Sequence, residues 1–175
     1  MSYAAAALAT FANMLGTLDH LAEKAQKAGF GDGLLAGARL AEDMFPLETQ
    51  FRIAINQAYM ALNRIWGMDI PLDETAYATF AEVRERLAAA KAQVAGAHTV
   101  EAPPAGQEID MTLPNGMRFV MQAHEYLRDW TMPNFYFHSS TAYGLLRREG
   151  VDLGKADFMG FMMRYARAPE AAASA

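Results

Sequence analysis

The residue types that carry covalent or metal chemistry are sparse in this chain. Its 175 residues include four histidines and no cysteine. Thiolate nucleophiles, disulfides and thiolate metal sites are therefore excluded together, and His, Asp, Glu, Asn and Gln are the remaining candidate ligands. His138 is the histidine of most interest, because it stands in the mostly apolar stretch PNFYFHSSTAYGLL, residues 133–146.

Three roles are open to His138: a metal ligand, a general base, or a core histidine that pairs with neighbouring side chains. Helices that bind metals usually carry ligands four residues apart, where side chains share a face. Asn134 stands four residues before His138 and offers a weakly coordinating carbonyl oxygen, whereas Ala142, four residues after it, offers no ligand. The spacing by itself therefore favours the core histidine.

The other polar candidates form no catalytic pattern. Gln50 and Gln57 stand seven residues apart, so they project from one side of a predicted helix towards its neighbours. Neither the carboxylates nor the hydroxyls near His138 have the spacing of a catalytic dyad or triad. No catalytic residue is identified, and whether the chain is an enzyme is left open. The other histidines are interpreted as solvated: His20, His98 and His124.

The elements that position these residues follow from the apolar pattern. Apolar residues recur at spacings of three and four, which indicates long amphipathic helices. Glycine after a helix and proline at its first turn mark the expected ends. The predicted bounds are 3–28 for the first helix, Pro46 to Gly67 for the second and 73–95 for the third, with at most a short helix near Leu34.

A β-hairpin and the last helices follow. Asn115 and Gly116 lie between two short alternating runs, which is the strongest short-range hairpin signal. Pro133 is expected to end a short helix and to open the fourth long helix, which carries His138. The predicted elements are strands 107–112 and 117–121, a short helix 123–131, the fourth long helix as far as Gly150, and a last short helix 155–166.

These elements predict an all-α fold: a four-helix bundle with a small β-hairpin before the last bundle helix and a short C-terminal helix. Hydrophobic residues make up 53% and charged residues 20%, enough apolar material for one core. A chain of this length suits one domain better than two. We expect a single domain over residues 1–168 and a flexible Ala-rich tail over residues 169–175.

Composition also excludes several classes of partner. The net charge of -5 and the sequence pI near 5.3 disfavour a nucleic acid, because no excess of Lys and Arg is available to displace its counterions. No apolar run reaches the roughly 20 residues that a membrane span needs. The apolar start MSYAAAALATFANML lacks the basic segment of a signal peptide, which favours a cytoplasmic protein.

The C-terminal stretch PNFYFHSSTAYGLLRREGVDLGKADFMG, residues 133–160, resembles an uncharacterised bacterial family known as domain of unknown function 1993. The family's signature looks like PNFYFH-x(3)-AYxxLRxxGVxLGKxDFxG, preceded by a Tyr-Leu pair to which Tyr126 and Leu127 correspond. The resemblance continues more weakly through AEDMFPLETQ, residues 41–50, and the hairpin. It therefore covers nearly the whole chain.

That family belongs with the DinB-like and YfiT-like superfamily of four-helix bundles, many of them dimers. The resemblance implies a divalent metal such as nickel or zinc, held by one histidine of the second helix and two of the last bundle helix at i, i+4. His138 matches the second histidine of that pair, and Asn134 stands at the first. The second helix has no histidine, and Gln50 and Gln57 are its nearest polar candidates.

The sequence therefore predicts a DinB-like bundle with a degenerate metal site, which serves as a small-molecule-binding or structural homodimer. A small-molecule pocket is expected around five polar side chains, with no cofactor other than a divalent metal at His138. The alternative is a metal-dependent thiol transferase or hydrolase with His138 as a ligand. The expected pocket residues are Gln50, Gln57, Asn134, His138 and Tyr143.

Overall fold

Four long helices form a bundle in the computed structural model, which describes residues 2–167. α1 packs mainly against α4, and α3 packs mainly against α6. The predicted tail over residues 169–175 lies outside the described residues. Within the described part, no helix is long and apolar enough to cross a bilayer. The helices are α1 (Tyr3–Lys27), α2 (Gly33–Gly37), α3 (Leu47–Trp66), α4 (Phe80–Ala97), α5 (Ala123–Glu125), α6 (Met132–Arg148) and α7 (Lys155–Phe158).

The ends of α1 and α3 follow the local chemistry of their flanking residues. Ser2 caps α1, because its Oγ accepts the backbone N–H of Ala5 at 3.1 Å. α3 starts directly after Pro46, which is extended, and stops at Gly67, which adopts the left-handed conformation at φ 64°. Both helices therefore confirm the prediction to within one residue.

α4 begins seven residues later than predicted. The expected start was residue 73, but the helix starts at Phe80, and Thr79 caps it by accepting the backbone N–H of Glu82 at 3.0 Å. Asp73 lies before the helix in an extended segment. The predicted start at residue 73 is therefore wrong.

Two asparagines of α3 hold the segment before α4 in its extended form. Asn63 donates to the carbonyl of Ile70 at 2.8 Å and accepts its N–H at 2.9 Å. Asn56 makes the same pair of bonds with the backbone of Asp73, at 2.9 Å each. Because these bonds satisfy the backbone groups that a helix would use, the segment stays out of α4.

The hairpin forms as predicted, with strand bounds within one residue of the expected ones. β1 (Glu108–Thr112) pairs antiparallel with β2 (Arg118–Gln122), and Gly116 takes the positive φ of the turn at 84°. Ile109 and Met111 are buried, while the alternate residues of β1 are exposed. The alternation of the sequence therefore matches the two faces of the ribbon.

The helix that carries His138 is longer than predicted, because Pro133 does not interrupt it. α5, a π-helical turn over Tyr126–Thr131 and α6 follow one another without a break. Pro133 lies in the first turn of α6, and the wider π turn before it accommodates a ring that an α-helical turn would crowd. The predicted separation into two helices is therefore wrong.

The end of α6 and the C-terminal segment are close to the prediction. Gly150, at φ 95°, follows α6, and Val151 donates to the carbonyl of Leu146 at 3.0 Å in a Schellman arrangement. The predicted last helix is α7 followed by a 3₁₀ turn over Gly160–Tyr165. Thr17 of α1 donates to the carbonyl of Phe158 at 3.1 Å and so fixes this segment against the bundle.

Candidate functional site

His138 lies on the inward face of α6. Its side chain is 9% exposed, and the residues one turn before and after it on the same row, Phe135 and Ala142, are completely buried. This orientation follows from the helical period, which places residues three and four apart on one face. His138 is thus a core residue at the seam between α6 and α3.

A hydrogen bond joins His138 to α3. Its Nδ1 lies 2.8 Å from Oε1 of Gln50, which is itself 1% exposed. Nε2 of Gln50 donates to the backbone carbonyl of Phe45 at 3.0 Å, and this bond turns the carboxamide oxygen towards the histidine. Nδ1 therefore carries the hydrogen, and Nε2 of His138 keeps its lone pair.

The surroundings keep the imidazole neutral. Burial lowers the pKa of His138 below its ordinary value, since the charged form is poorly solvated in the core. The ring of Phe137 lies edge-on to the imidazole, with centroids 5.2 Å apart. Nε2 has no hydrogen-bond partner among residues 2–167. The site thus presents an oriented neutral acceptor beside aromatic carbon.

The other predicted pocket residues are engaged elsewhere. Asn134 is half-buried, and its Nδ2 donates to the carbonyl of Trp130 at 2.7 Å. Gln57 is buried two helical turns from Gln50. Tyr143 packs its ring against Phe158 at 5.4 Å between centroids. Of the five predicted residues, the structure joins only His138 and Gln50 by a hydrogen bond.

The donor set does not fit a metal centre held by three imidazoles. The oxygen of Gln50 accepts the Nδ1 hydrogen of His138, and the amide nitrogen of Asn134 donates to the helix backbone. Within residues 2–167, no group of three or more His, Cys, Asp or Glu side chains is placed to hold a metal ion. A neutral amide oxygen is in addition a weak ligand for zinc or nickel. One imidazole therefore stands where such a centre needs three.

Two contacts of this site were not predicted from the sequence. The carbonyl of Phe45 orients Gln50, but a backbone acceptor in a loop has no signature in residue type. The edge-on contact of Phe137 with His138 joins adjacent residues, and only its geometry distinguishes it from two unrelated neighbours. Gln50, close to the start of a predicted helix, was the one sequence signal for the first contact.

Comparison with known proteins identifies a family and a similar solved structure. The family model "Domain of unknown function (DUF1993)" matches residues 3–159. The chain belongs to the DUF1993 family. A crystal structure of a DinB family member protein from Shewanella denitrificans is similar to it, with 28% sequence identity and a TM-score of 0.69. The match covers 94% of this chain and 92% of that one, so the DUF1993 bundle has the DinB-like fold.

Among curated proteins, none matches this DUF1993 chain. The resemblance expected from the signature around His138 is confirmed at the level of family and fold.

Proposed function

We propose that this DUF1993 protein is a metal-independent DinB-like bundle in which the His138–Gln50 pair takes the place of a metal centre and binds a small uncharged molecule. The observation that carries the proposal is the 2.8 Å bond from Nδ1 of His138 to Oε1 of Gln50. It uses the amide oxygen and the imidazole hydrogen together, and it leaves Nε2 as an acceptor.

The chemistry of the pair indicates the class of ligand. A neutral imidazole nitrogen accepts a hydrogen from a hydroxyl, thiol or amide group. A charged ligand would need a counter-charge, and burial already disfavours charge on His138. Phe45 and Phe137, which are 58% and 55% exposed, offer apolar surface next to the pair. The ligand in this proposal is a small amphipathic molecule with one hydrogen-bond donor.

The alternative function is a metal-dependent thiol transferase or hydrolase with His138 as a ligand. One observation favours it: histidines that bind metals usually donate their other ring hydrogen to an oxygen, as Nδ1 does here to Gln50. The missing imidazoles count against it. Because the two functions make opposite predictions about added metal, one assay separates them.

A thermal-shift experiment on tag-free protein tests both functions. The melting temperature is measured with zinc, with nickel, and with a panel of small thiols, alcohols, primary amides and carboxylates. We expect uncharged donors to raise Tm, since a ligand that binds only the folded state stabilises it. Neither metal is expected to raise Tm.

Two variants control this assay. His138→Ala removes the acceptor and is expected to abolish the shift, whereas Ser140→Ala, on the exposed face of the same helix, should keep it. A shift with zinc or nickel that His138→Ala abolishes would support the metalloenzyme. No response to any compound would leave the pair with a structural role and would refute ligand binding.

A homodimer is part of the proposal. The exposed aromatic rings of Phe45 and Phe137 beside the site are the kind of apolar surface that association covers. Light scattering coupled to size exclusion is expected to give twice the mass of the 19.2 kDa chain. A monomeric mass at high protein concentration would contradict this part.

A further inference from the structure

Three buried polar atoms lie in the bundle without a hydrogen-bond partner among residues 2–167. They are Oε1 of Gln57, the hydroxyl of Tyr126 and Oγ1 of Thr131. Tyr126 and Thr131 are completely buried, and Gln57 is 7% exposed. Buried polar atoms in folded proteins are nearly always hydrogen-bonded, so three orphans call for a physical explanation.

Tyr126 and Thr131 lie on one face of the helix. They begin and end the π-helical turn, and five residues correspond to about one turn of a π-helix. Burial raises the pKa of the Tyr126 hydroxyl, whereas the hydroxyl of Thr131 and the guanidinium of Arg64 lower it. The two hydroxyls are therefore neighbours, although they do not reach hydrogen-bond geometry.

The register of the two helices indicates that Gln57 lies near this pair. Gln50 contacts His138, and the guanidinium of Arg64 lies 5.8 Å from the centre of the Tyr126 ring, so α3 and the α5–α6 helix run antiparallel. Gln57 follows Gln50 by two helical turns, and Thr131 precedes His138 by the same distance. The register thus sets Gln57 opposite Thr131.

We propose that Gln57, Thr131 and Tyr126 form a buried site for one small neutral hydroxylic molecule, of which water is the smallest. One acceptor and two hydroxyls supply the roughly three hydrogen bonds that a buried water makes. The three unpartnered groups are themselves neutral, which favours a neutral molecule. The site is separate from His138 and does not depend on the function proposed there.

The π turn accounts for this arrangement. In a regular α-helix a threonine hydroxyl commonly bonds the carbonyl four residues back, as Thr141 does with Phe137 at 2.7 Å. The hydroxyl of Thr131, at the end of the widened turn, has no such bond. π turns occur frequently at functional sites, where they re-aim side chains. The turn thus supplies a hydroxyl to the seam instead of to the backbone.

The direction in which two substitutions change Tm tests the proposal. Thr131→Val and Tyr126→Phe remove one hydroxyl each with little change of shape. If a bound molecule satisfies these groups, each loss is expected to lower Tm by about 2–4 °C. Thr141→Val, whose side chain is only half-buried, is the matched control and is expected to change Tm by less than 2 °C.

If no molecule occupies the site, the same substitutions are expected to raise Tm instead of lowering it. Removing a buried hydroxyl that has no partner relieves a desolvation cost, so a rise in Tm for Thr131→Val or Tyr126→Phe would overturn the proposal. A crystal structure of the wild-type protein distinguishes the ligands. Spherical density within hydrogen-bond distance of all three groups indicates water, and larger density indicates a bound organic hydroxyl. Absence of density there would also overturn the proposal.

Discussion

Replacement of Gln50 by methionine tests the His138–Gln50 pair most simply, because it keeps the length of the side chain and removes its hydrogen bonds. The imidazole then retains a buried Nδ1–H without an acceptor, which costs about 1–3 kcal/mol. The bond to Phe45 contributes less, since that residue is exposed and water can replace it. We expect a loss of about 2 kcal/mol in the free energy of unfolding, or about 4–8 °C in Tm.

Urea unfolding followed by circular dichroism measures this loss. Gln26→Met, at an exposed position of α1, is the control for the substitution itself and should change stability by less than about 0.5 kcal/mol. A double-mutant cycle adds His138→Leu. With both partners replaced no polar group is orphaned, so the double variant should lose clearly less than the sum of the single losses. Additive losses, or no loss in Gln50→Met, would refute the pairing.

Three further predictions concern charge and metal. Because burial lowers the pKa of folded His138, the stabilising contribution of this residue is complete above the unfolded pKa near 6.5 and falls at lower pH. The difference in unfolding free energy between wild type and His138→Leu should therefore narrow from pH 7.5 to 5.5. The hydrogen bond from His20, aided by backbone contact, lowers the pKa of Asp157 to about 2. Because solvent screens this surface pair, its contribution of about 1 kcal/mol is present above pH 4 and is lost as pH falls towards 2. The difference in unfolding free energy between wild type and Asp157→Asn should therefore shrink over this range, and a constant difference would contradict this. Combining Gln50→His with Asn134→His should restore three imidazoles beside one another, so zinc should raise Tm in the double variant, and an unchanged Tm would show that the two positions are not the ligand positions.

Local patterns predicted most of the fold. The helical period gave α1, α3 and the inward face of His138, because side chains three and four apart share a face in any α-helix. Asn115-Gly116 predicted the hairpin, and Gly116 supplies the positive φ that its turn requires. The start of α4 was missed because Asn56 and Asn63 act from another helix, and no local pattern reports a tertiary hydrogen bond.

The sequence predicts less of the candidate site than of the helices. Gln50 and Gln57 lie on the same face of α3, and the register between α3 and α6, which the sequence does not specify, decides that Gln50 meets His138. Tyr143 follows His138 by five residues, which correspond to about 140° around a helix. The helical period therefore already indicates that the two side chains point in different directions. Pro133 was predicted to break the helix. The π turn that accommodates it depends on packing around Tyr126 and Thr131, and a local sequence pattern does not report such packing.

Elemental analysis of the native protein tests the central claim most directly. The chain is expressed without an affinity tag in medium that contains zinc and nickel, purified without chelators, and compared with His138→Ala prepared in the same way. If the His138–Gln50 pair replaces the metal centre, both proteins should contain only trace metal. Stoichiometric zinc or nickel in the wild type that disappears in His138→Ala would contradict the account.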